Sequence, residues 1–214
     1  MRHNTNNQPG RFDIWRFTVV LLSLLIASCT TQVEVEGNFP RPVINQLPLS
    51  VGVHYPAEFA DFSYVEQSDD RSGRDIGIGK AQVKLFATVL PALFREVVAV
   101  AKPEQGQAAV PVDLILTMKV DDFQYTVPKE TKVDMYEVWI KYNMQLFDSQ
   151  GQLIADWILT AYGKTPSAML QTEGSALNAA MVVALRDAGA SFSLSFTKVP
   201  EIKQWLEQRR RSII

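Results

Sequence analysis

The pattern of apolar and polar positions divides the chain after residue 46 into strands and amphipathic helices. Val51 and Val53 alternate with small or polar residues up to Pro56, which predicts a first strand. A shorter run, residues 62–65, predicts a strand that pairs with it. From Lys80 to residue 98 the apolar positions recur with helical spacing, so we expect an amphipathic helix that Pro91 kinks or breaks.

Three strands with regular alternation follow, over residues 112–120, 136–146 and 153–162. The turn residues 148–151, Asp-Ser-Gln-Gly, predict a hairpin between the last two. Thr172 is a suitable N-cap for a second helix, whose apolar stripe runs from Leu177 to Phe192. Pro200 suits the first turn of a short final helix.

The predicted element order is therefore β(β)-α-β-β-β-α-α. Consecutive strands joined by short loops pair antiparallel, and long amphipathic helices bury their stripes on one face of such a sheet. The sequence predicts an α+β fold, a two-layer sandwich with a mostly antiparallel four- to five-stranded sheet and two long helices on one face. We expect this domain to span residues 47–197, followed by a short helix and basic tail over residues 198–214.

The first 28 residues have a different pattern, in which arginines precede an apolar run over residues 17–26. This arrangement is typical of a secretory signal, and the run is too short to span a bilayer as a helix. The following segment, Ile26-Ala27-Ser28-Cys29, resembles the lipobox of bacterial lipoproteins. The resemblance implies that residues 1–28 are a signal peptide and that Cys29 is acylated. The alternative is an uncleaved anchor followed by an ordinary buried cysteine.

The residue after Cys29 is Thr30. In bacterial lipoproteins an aspartate at that position is associated with retention in the inner membrane. The resemblance therefore implies the outer membrane of a Gram-negative cell, with the domain facing the periplasm.

Residues 29–46 contain Gly37, Pro40 and Pro42, with few apolar positions. This composition predicts a lipidated tether. A flexible coil of that length spans about 20–25 Å, so the domain could stand off the membrane surface.

Charge and composition exclude several classes of function. The net charge of the 214-residue chain is −2, and removal of residues 1–28 makes it −4, which argues against nucleic-acid binding. One cysteine and two histidines allow no internal disulfide and provide almost no ligands for zinc, so we predict neither a metal nor a cofactor. His54, the single histidine after the signal, is either a general base or a residue at the rim of the sheet.

No convergent catalytic set is visible, and we predict that the protein is not an enzyme. No G-x-S-x-G motif is present, and the glycines before Lys80 lack the spacing and the hydroxyl residue of a phosphate-binding loop. The acidic pair Asp69-Asp70 suits a solvated loop. Asp121-Asp122 interrupts its strand, which indicates a bulge or an edge.

The second face of the sheet is the candidate binding surface. If the helices cover one face, the other carries Ile115, Phe123, Tyr125 and Trp139 among charged residues. Aromatic residues dominate interface energetics, so this face is expected to bind a partner. The alternative is that loops, the tether or the final helix cover it.

The basic run Arg209, Arg210 and Arg211 is the strongest charge cluster in the chain. It could contact anionic head groups. The alternative is a solvated helix end, where positive charge is favourable.

The lipobox together with the β-α-β-β-β-α layout resembles the small envelope lipoproteins of Gram-negative bacteria. Two such groups are the auxiliary lipoproteins of ABC-type lipid transporters and the lipoprotein partner of the lipopolysaccharide-transport barrel. The auxiliary lipoproteins similarly have a strand that ends near an acidic-aromatic step, here Val120-Asp121-Asp122-Phe123, and an alanine-rich closing helix, here residues 176–190. The resemblance implies a non-enzymatic accessory or assembly partner of an envelope transport complex, bound to the membrane and to another envelope protein. The alternative function is a lipid- or glycan-binding periplasmic module that uses the gap between helices and sheet.

Overall fold

The computed structural model describes residues 31–66, 73–101, 111–129, 134–167 and 172–212. Cys29, the signal segment and the Asp69-Asp70 pair lie outside these ranges. The elements are β1 Thr31–Glu34, β2 Leu47–His54, α1 Ala57–Ala60, β3 Ser63–Val65, β4 Arg74–Gly77, α2 Gly79–Leu93, β5 Phe94–Ala99, β6 Leu114–Thr126, β7 Met135–Asp148, β8 Leu153–Pro166, α3 Glu173–Ser195, a 3₁₀ turn Phe196–Lys198 and α4 Pro200–Ser212.

The main sheet has five strands in the order β5-β2-β6-β7-β8. Strands β6, β7 and β8 form the predicted antiparallel meander, whereas β2 is parallel to both of its neighbours. Long connections separate β2 from β5 and β6, and parallel pairing needs such crossovers. The α+β fold class is confirmed, but half of the strand pairings are parallel.

Helices α2 and α3 cover one face of this sheet. Thr172 caps α3 as expected, since its hydroxyl oxygen accepts a hydrogen bond from the Ser175 amide at 3.2 Å. The small side chains of α3 let it lie close to β8: a Cβ added at Gly163 would collide with the backbone of Ala180 and Ala184. Helix α3 with the 3₁₀ turn is long and apolar enough to cross a membrane, but here it is the core helix of the domain.

A buried polar pair lies between α2 and the sheet. Tyr142 is fully buried, and its hydroxyl donates a hydrogen bond to Oε1 of Gln82 at 3.2 Å. Nε2 of Gln82, itself completely inaccessible, donates to the Phe59 carbonyl at 2.5 Å. Burial raises the pKa of Tyr142 far above its ordinary value.

The first long helix is shorter than predicted. It ends at Leu93, two residues after Pro91, and Phe94 is already extended with ψ of 146°. Residues 94–98, which we expected to continue the helix, belong to β5. Proline cannot donate the helical hydrogen bond, and the β-branched Val97 and Val98 suit a strand better than a helix.

The short run over residues 62–65 forms β3, but β3 does not pair with β2. It lies antiparallel to β4 in a separate three-stranded sheet with the order β1-β4-β3. This small sheet packs over the end of β6, since Tyr64 contacts Phe123 with ring centroids 5.1 Å apart.

Residues 31–46 differ most from expectation, because the predicted flexible tether is packed along the domain. We call these residues the strap. Its side chains Val33, Val35 and Phe39 are buried in the core. Its backbone is bound by both long helices: Lys84 of α2 donates to the Gly37 carbonyl at 2.8 Å, and Arg186 of α3 donates to the Asn38 carbonyl at 3.0 Å.

The strap begins beside β4 and ends near the start of β5. Thr31 pairs with Arg74, and Gln46 donates to the Phe94 carbonyl at 2.9 Å. The strap therefore runs along the length of the molecule across α2 and α3. It is part of the folded domain.

Candidate interaction face

A bulge in β6 decides which residues reach each face of the main sheet. The register shifts between Val120 and Asp122, at the acidic pair where the sequence indicates a bulge or an edge. An extra residue reverses the alternation that follows it. Phe123 therefore lies opposite Ile140, and Tyr125 opposite Val138, on the face that the helices cover.

The predicted binding face is therefore divided by the bulge. Phe123 is only 5% exposed and packs in the core, so its assignment to the open face was wrong. Tyr125 belongs to the same buried side. Ile115 and Trp139 lie on the opposite side of the sheet, since they precede the bulge or belong to β7.

Tyr125 takes part in a polar cluster around Arg74. Nη1 of Arg74 donates to Oε2 of Glu66 at 2.9 Å and to the Tyr125 hydroxyl at 3.1 Å, while Nε donates to Oε1 of Glu173 at 2.8 Å. Burial by itself would lower the pKa of Arg74, but the hydrogen bonds to Tyr125 and Glu173 outweigh it and raise that pKa. The cluster ties β4, β6 and the start of α3 together, which is a structural role.

The second face of the sheet is open around Trp139 and Tyr162. These residues pair across β7 and β8, and their rings lie 5.2 Å apart between centroids. Trp139 is 38% exposed and Ile158 of β8 is 45% exposed. We call Trp139, Ile158 and Tyr162 the aromatic face.

Polar side chains at the edge of the aromatic face form hydrogen bonds and ion pairs with one another and with Tyr162. The Tyr162 hydroxyl donates to Oε1 of Glu137 at 2.5 Å, which raises the pKa of Tyr162. Nζ of Lys141 lies 2.7 Å from Oδ2 of Asp121, and this contact lowers the pKa of that carboxyl. The tyrosine ring is therefore held in one orientation beside Trp139.

Ile115 is on this side of the sheet but is not available for binding. It is 1% exposed and lies opposite Gly52 of β2. A Cβ added at Gly52 would lie 2.7 Å from Cγ1 of Val100 and 3.4 Å from Cγ2 of Val112, so these valines cover this part of the face. Among the described residues, the exposed apolar side chains of this face therefore belong to β7 and β8.

His54 also lies at the covered part of the sheet. Its Nδ1 is 3.3 Å from the Val100 carbonyl oxygen, and the ring is half-buried. This contact matches a residue at the rim of the sheet. Over the ranges that the structure describes, no group of three or more His, Cys, Asp and Glu residues could hold a metal ion.

The basic run at the end of α4 is not uniform. Arg209 binds Asp113, and its guanidinium carbon lies 5.3 Å from the ring centroid of Trp205. Burial would raise the pKa of Asp113, but hydrogen bonds from Ser50 and the charge of Arg209 hold it below the ordinary value. Arg209 is thus engaged within the domain, while Arg210 and Arg211 are exposed.

The space between the helices and the sheet is filled. Phe86, Tyr142 and Phe192 pack there with centroid distances of 5.7–6.2 Å between neighbouring rings, and all three are inaccessible to solvent. A surface cavity of about 300 Å³ lies beside β1 and α2, with polar residues such as Glu34, Asp75 and Lys80 in its lining. Nζ of Lys80 is bound to Oε1 of Glu34 at 3.1 Å.

The fold defines the class of this protein as a two-layer α+β domain. No protein-family model and no curated protein sequence matches the chain. A crystal structure of a Xanthomonas campestris protein from family DUF330 is similar, with a TM-score of 0.50, 14% identity, and coverage of 84% of this chain and 98% of that one. This similarity shows that the two proteins share a fold.

Two further solved structures are less similar. A hypothetical protein of Chlamydia trachomatis has a TM-score of 0.44 and 9% identity, over 71% of this chain and 96% of its own. A minor lipoprotein of Acinetobacter baumannii has a TM-score of 0.39 and 13% identity, over 72% of this chain and 94% of its own. Neither similarity carries a conclusion about this chain.

Proposed function

We propose that this protein is a lipoprotein of the Gram-negative outer membrane that acts, without enzymatic activity, as an accessory partner of an envelope transport complex. Its anchor is the acylated Cys29, and its domain faces the periplasm. The lipobox Ile26-Ala27-Ser28-Cys29 and the following Thr30 support the anchor and its location. Several acyl chains on one residue hold a protein firmly, because each buried CH₂ contributes ~0.8 kcal/mol.

The observation that carries the accessory role is the aromatic face. The opposite side of the same sheet packs against the helices, whereas Trp139 and Ile158 remain 38% and 45% exposed. Tryptophan and tyrosine are enriched among the residues that dominate binding energy, and rigid strands lose little entropy when they bind. Tyr162 is already oriented by Glu137, so the partner would meet a preformed surface.

Site-specific photo-crosslinking in cells tests this role. A photoreactive amino acid at Ile158 should form one dominant adduct with an envelope protein, which mass spectrometry identifies. The same amino acid at Leu194 of α3, which is 62% exposed but on another surface, is the matched control. Trp139→Ala should reduce the Ile158 adduct. Equal adducts from both positions, or none from Ile158, would contradict the proposed role.

The anchor has its own test. Cys29→Ser should release the protein from the membrane fraction, and the wild-type N-terminal peptide should carry the mass of its acyl chains. A wild-type protein that stays soluble after loss of the signal would refute the anchor.

The aromatic face also favours one form of the alternative function. Two neighbouring aromatic rings beside a carboxylate suit the apolar face and hydroxyl groups of a sugar, so Trp139, Tyr162 and Glu137 could bind an envelope glycan. Quenching of tryptophan fluorescence by envelope oligosaccharides, lost in Trp139→Ala, would support that function. A lipid held between helices and sheet has no such support, because Phe86, Tyr142 and Phe192 fill that space.

A further inference from the structure

The long strands define the axis of the domain and its two ends. Strand β6 has 13 residues, and a rise of ~3.3 Å for each gives about 40 Å. At one end Thr126 pairs with Glu137, and Met135 pairs with Pro166. At the other end Leu114 pairs with Asp148.

The start of the strap lies at the first of these ends. Thr31 pairs with Arg74, whose Nη1 is 3.1 Å from the hydroxyl of Tyr125, the residue before Thr126. Cys29 precedes Thr31 by two residues, which span at most about 7 Å when fully extended. We call this end of the molecule, with Thr31, Thr126 and Met135, the anchor end.

The strap removes the freedom that a tether would give. Buried valines and a phenylalanine hold it, and hydrogen bonds from α2 and α3 fix its backbone. Lipid on Cys29 therefore cannot move far from the anchor end while the domain is folded.

The basic end of α4 lies at the opposite end. Arg209 binds Asp113, the residue before Leu114 at the start of β6. Arg210 and Arg211 are therefore about 40 Å from the anchor end along β6. Screening at physiological salt acts over about 8 Å, so these charges would not sense a membrane at the anchor end.

We propose that the lipidated protein stands with its anchor end directly against the bilayer and with Arg210 and Arg211 pointing away from it. The proposal rests on acylation of Cys29, as proposed above. Lys129 and Lys164 are exposed near the anchor end and suit anionic head groups, and Val65 there is 60% exposed. In this orientation the head groups meet the surface of Lys129, Lys164 and Val65. They do not meet Arg209, Arg210 and Arg211, for which the sequence predicted this contact.

The orientation also restricts the partner. Trp139 is four residues from Met135, which places it about 13 Å from the anchor end. Tyr162 is its cross-strand neighbour at the same height. A protein that docks on the aromatic face of the upright molecule would do so beside the membrane surface, as a membrane-embedded partner can.

Fluorescence quenching from the head groups tests the orientation. Cys29 is the only cysteine of the chain, so once it is acylated a second cysteine is the single free thiol. Lys129→Cys and Arg210→Cys each receive a fluorescent label, and the acylated protein is placed in phosphatidylethanolamine–phosphatidylglycerol vesicles that contain a head-group nitroxide lipid. We expect loss of fluorescence for the label at 129 and none for the label at 210.

A flexible Gly-Ser insertion between Thr30 and Thr31 is the matched control, and it should restore the fluorescence of the label at 129. Equal quenching at both positions, quenching at 210 alone, or no quenching at either in acylated protein overturns the orientation and leaves the anchor intact. Absence of acyl chains on Cys29, seen by mass spectrometry of the same sample, overturns both proposals.

Discussion

Replacement of Tyr142 by phenylalanine should destabilise the domain, because it leaves one buried hydrogen-bond acceptor, Oε1 of Gln82, without a partner. The change keeps the ring and removes the hydrogen bond to Oε1 of Gln82. A buried polar atom without a partner costs about 1–3 kcal/mol, so the free energy of unfolding should fall by about that amount. Gln82→Leu leaves the Tyr142 hydroxyl without a partner and leaves the Phe59 carbonyl with the long hydrogen bond from the Phe62 amide at 3.4 Å, so it should cost somewhat more, about 2–4 kcal/mol.

The double variant provides the sharper measurement. With both changes, neither Oε1 of residue 82 nor the hydroxyl of residue 142 remains to be satisfied. The cost should therefore be smaller than the sum of the single costs, with a coupling of about 1–3 kcal/mol. Urea unfolding of the mature chain, followed by circular dichroism at pH 7, measures all four proteins. Tyr162→Phe, whose hydroxyl lies at the surface, is the control and should cost less than about 1 kcal/mol.

Strict additivity of the two single changes would refute this reasoning. A loss of less than about 0.5 kcal/mol in the unfolding free energy of Tyr142→Phe would also refute it, because a buried acceptor without a hydrogen-bond partner costs at least about 1 kcal/mol. A changed dependence of the unfolding free energy on urea concentration would show that a variant altered more than one contact.

Three further predictions use the same unfolding assay. Burial raises the pKa of Tyr55 to about 12. The protonated Tyr55 therefore contributes fully to the free energy of unfolding below pH 10, and this contribution falls by about 1.4 kcal/mol per pH unit as the pH rises from 10 towards 12. A urea midpoint that stays constant between pH 9 and pH 11 would contradict this. Phe39→Ala should cost about 3 kcal/mol, because the ring is buried under the strap. The neighbouring Val43→Ala, at a fully exposed residue, should stay within about 0.5 kcal/mol, and similar effects at both positions would mean that the strap is not docked. Gly163→Ala should cost at least about 1–3 kcal/mol through the displacement of α3, and a urea midpoint equal to that of the wild type would show that the helix is not so close.

The meander could be predicted from sequence because two independent signals agree. The alternation over residues 136–146 defines one face, and the turn at Gly151 fixes the pairing of β7 with β8. That register places Tyr162 opposite Trp139. Tyr162 and Ile158 could thus have been found by continuing the alternation of β8 outward from the hairpin.

Residues after Asp121 show why the predicted face was only partly correct. A single extra residue moves every later side chain of the strand to the other face. The acidic pair indicates the irregularity, but the pattern alone does not show whether the strand ends there or continues. Because β6 continues for several residues, Phe123 enters the core and Tyr125 packs against it, partly buried.

The sequence pattern did not predict the docked strap or β5, and the reasons differ. Residues 94–98 have apolar spacing that fits the stripe of α2 and a strand equally well, and only the parallel pairing with β2 decides. The strap has few apolar residues, and its hydrogen-bond partners lie far along the chain. No local pattern carries such information.

The strap also imposes an order on folding. The Glu36 amide bonds to Asn178, 142 residues later, and the Asn38 carbonyl to Arg186, 148 residues later. Contacts of such separation form late, because the long loop between them must close first. During synthesis these residues emerge long before α3 exists, as an extended segment that reaches up to about 50 Å. The fixed position of Thr31 beside β4 is therefore a property of the completed fold, and the nascent chain presents the same residue on a long, unpaired arm.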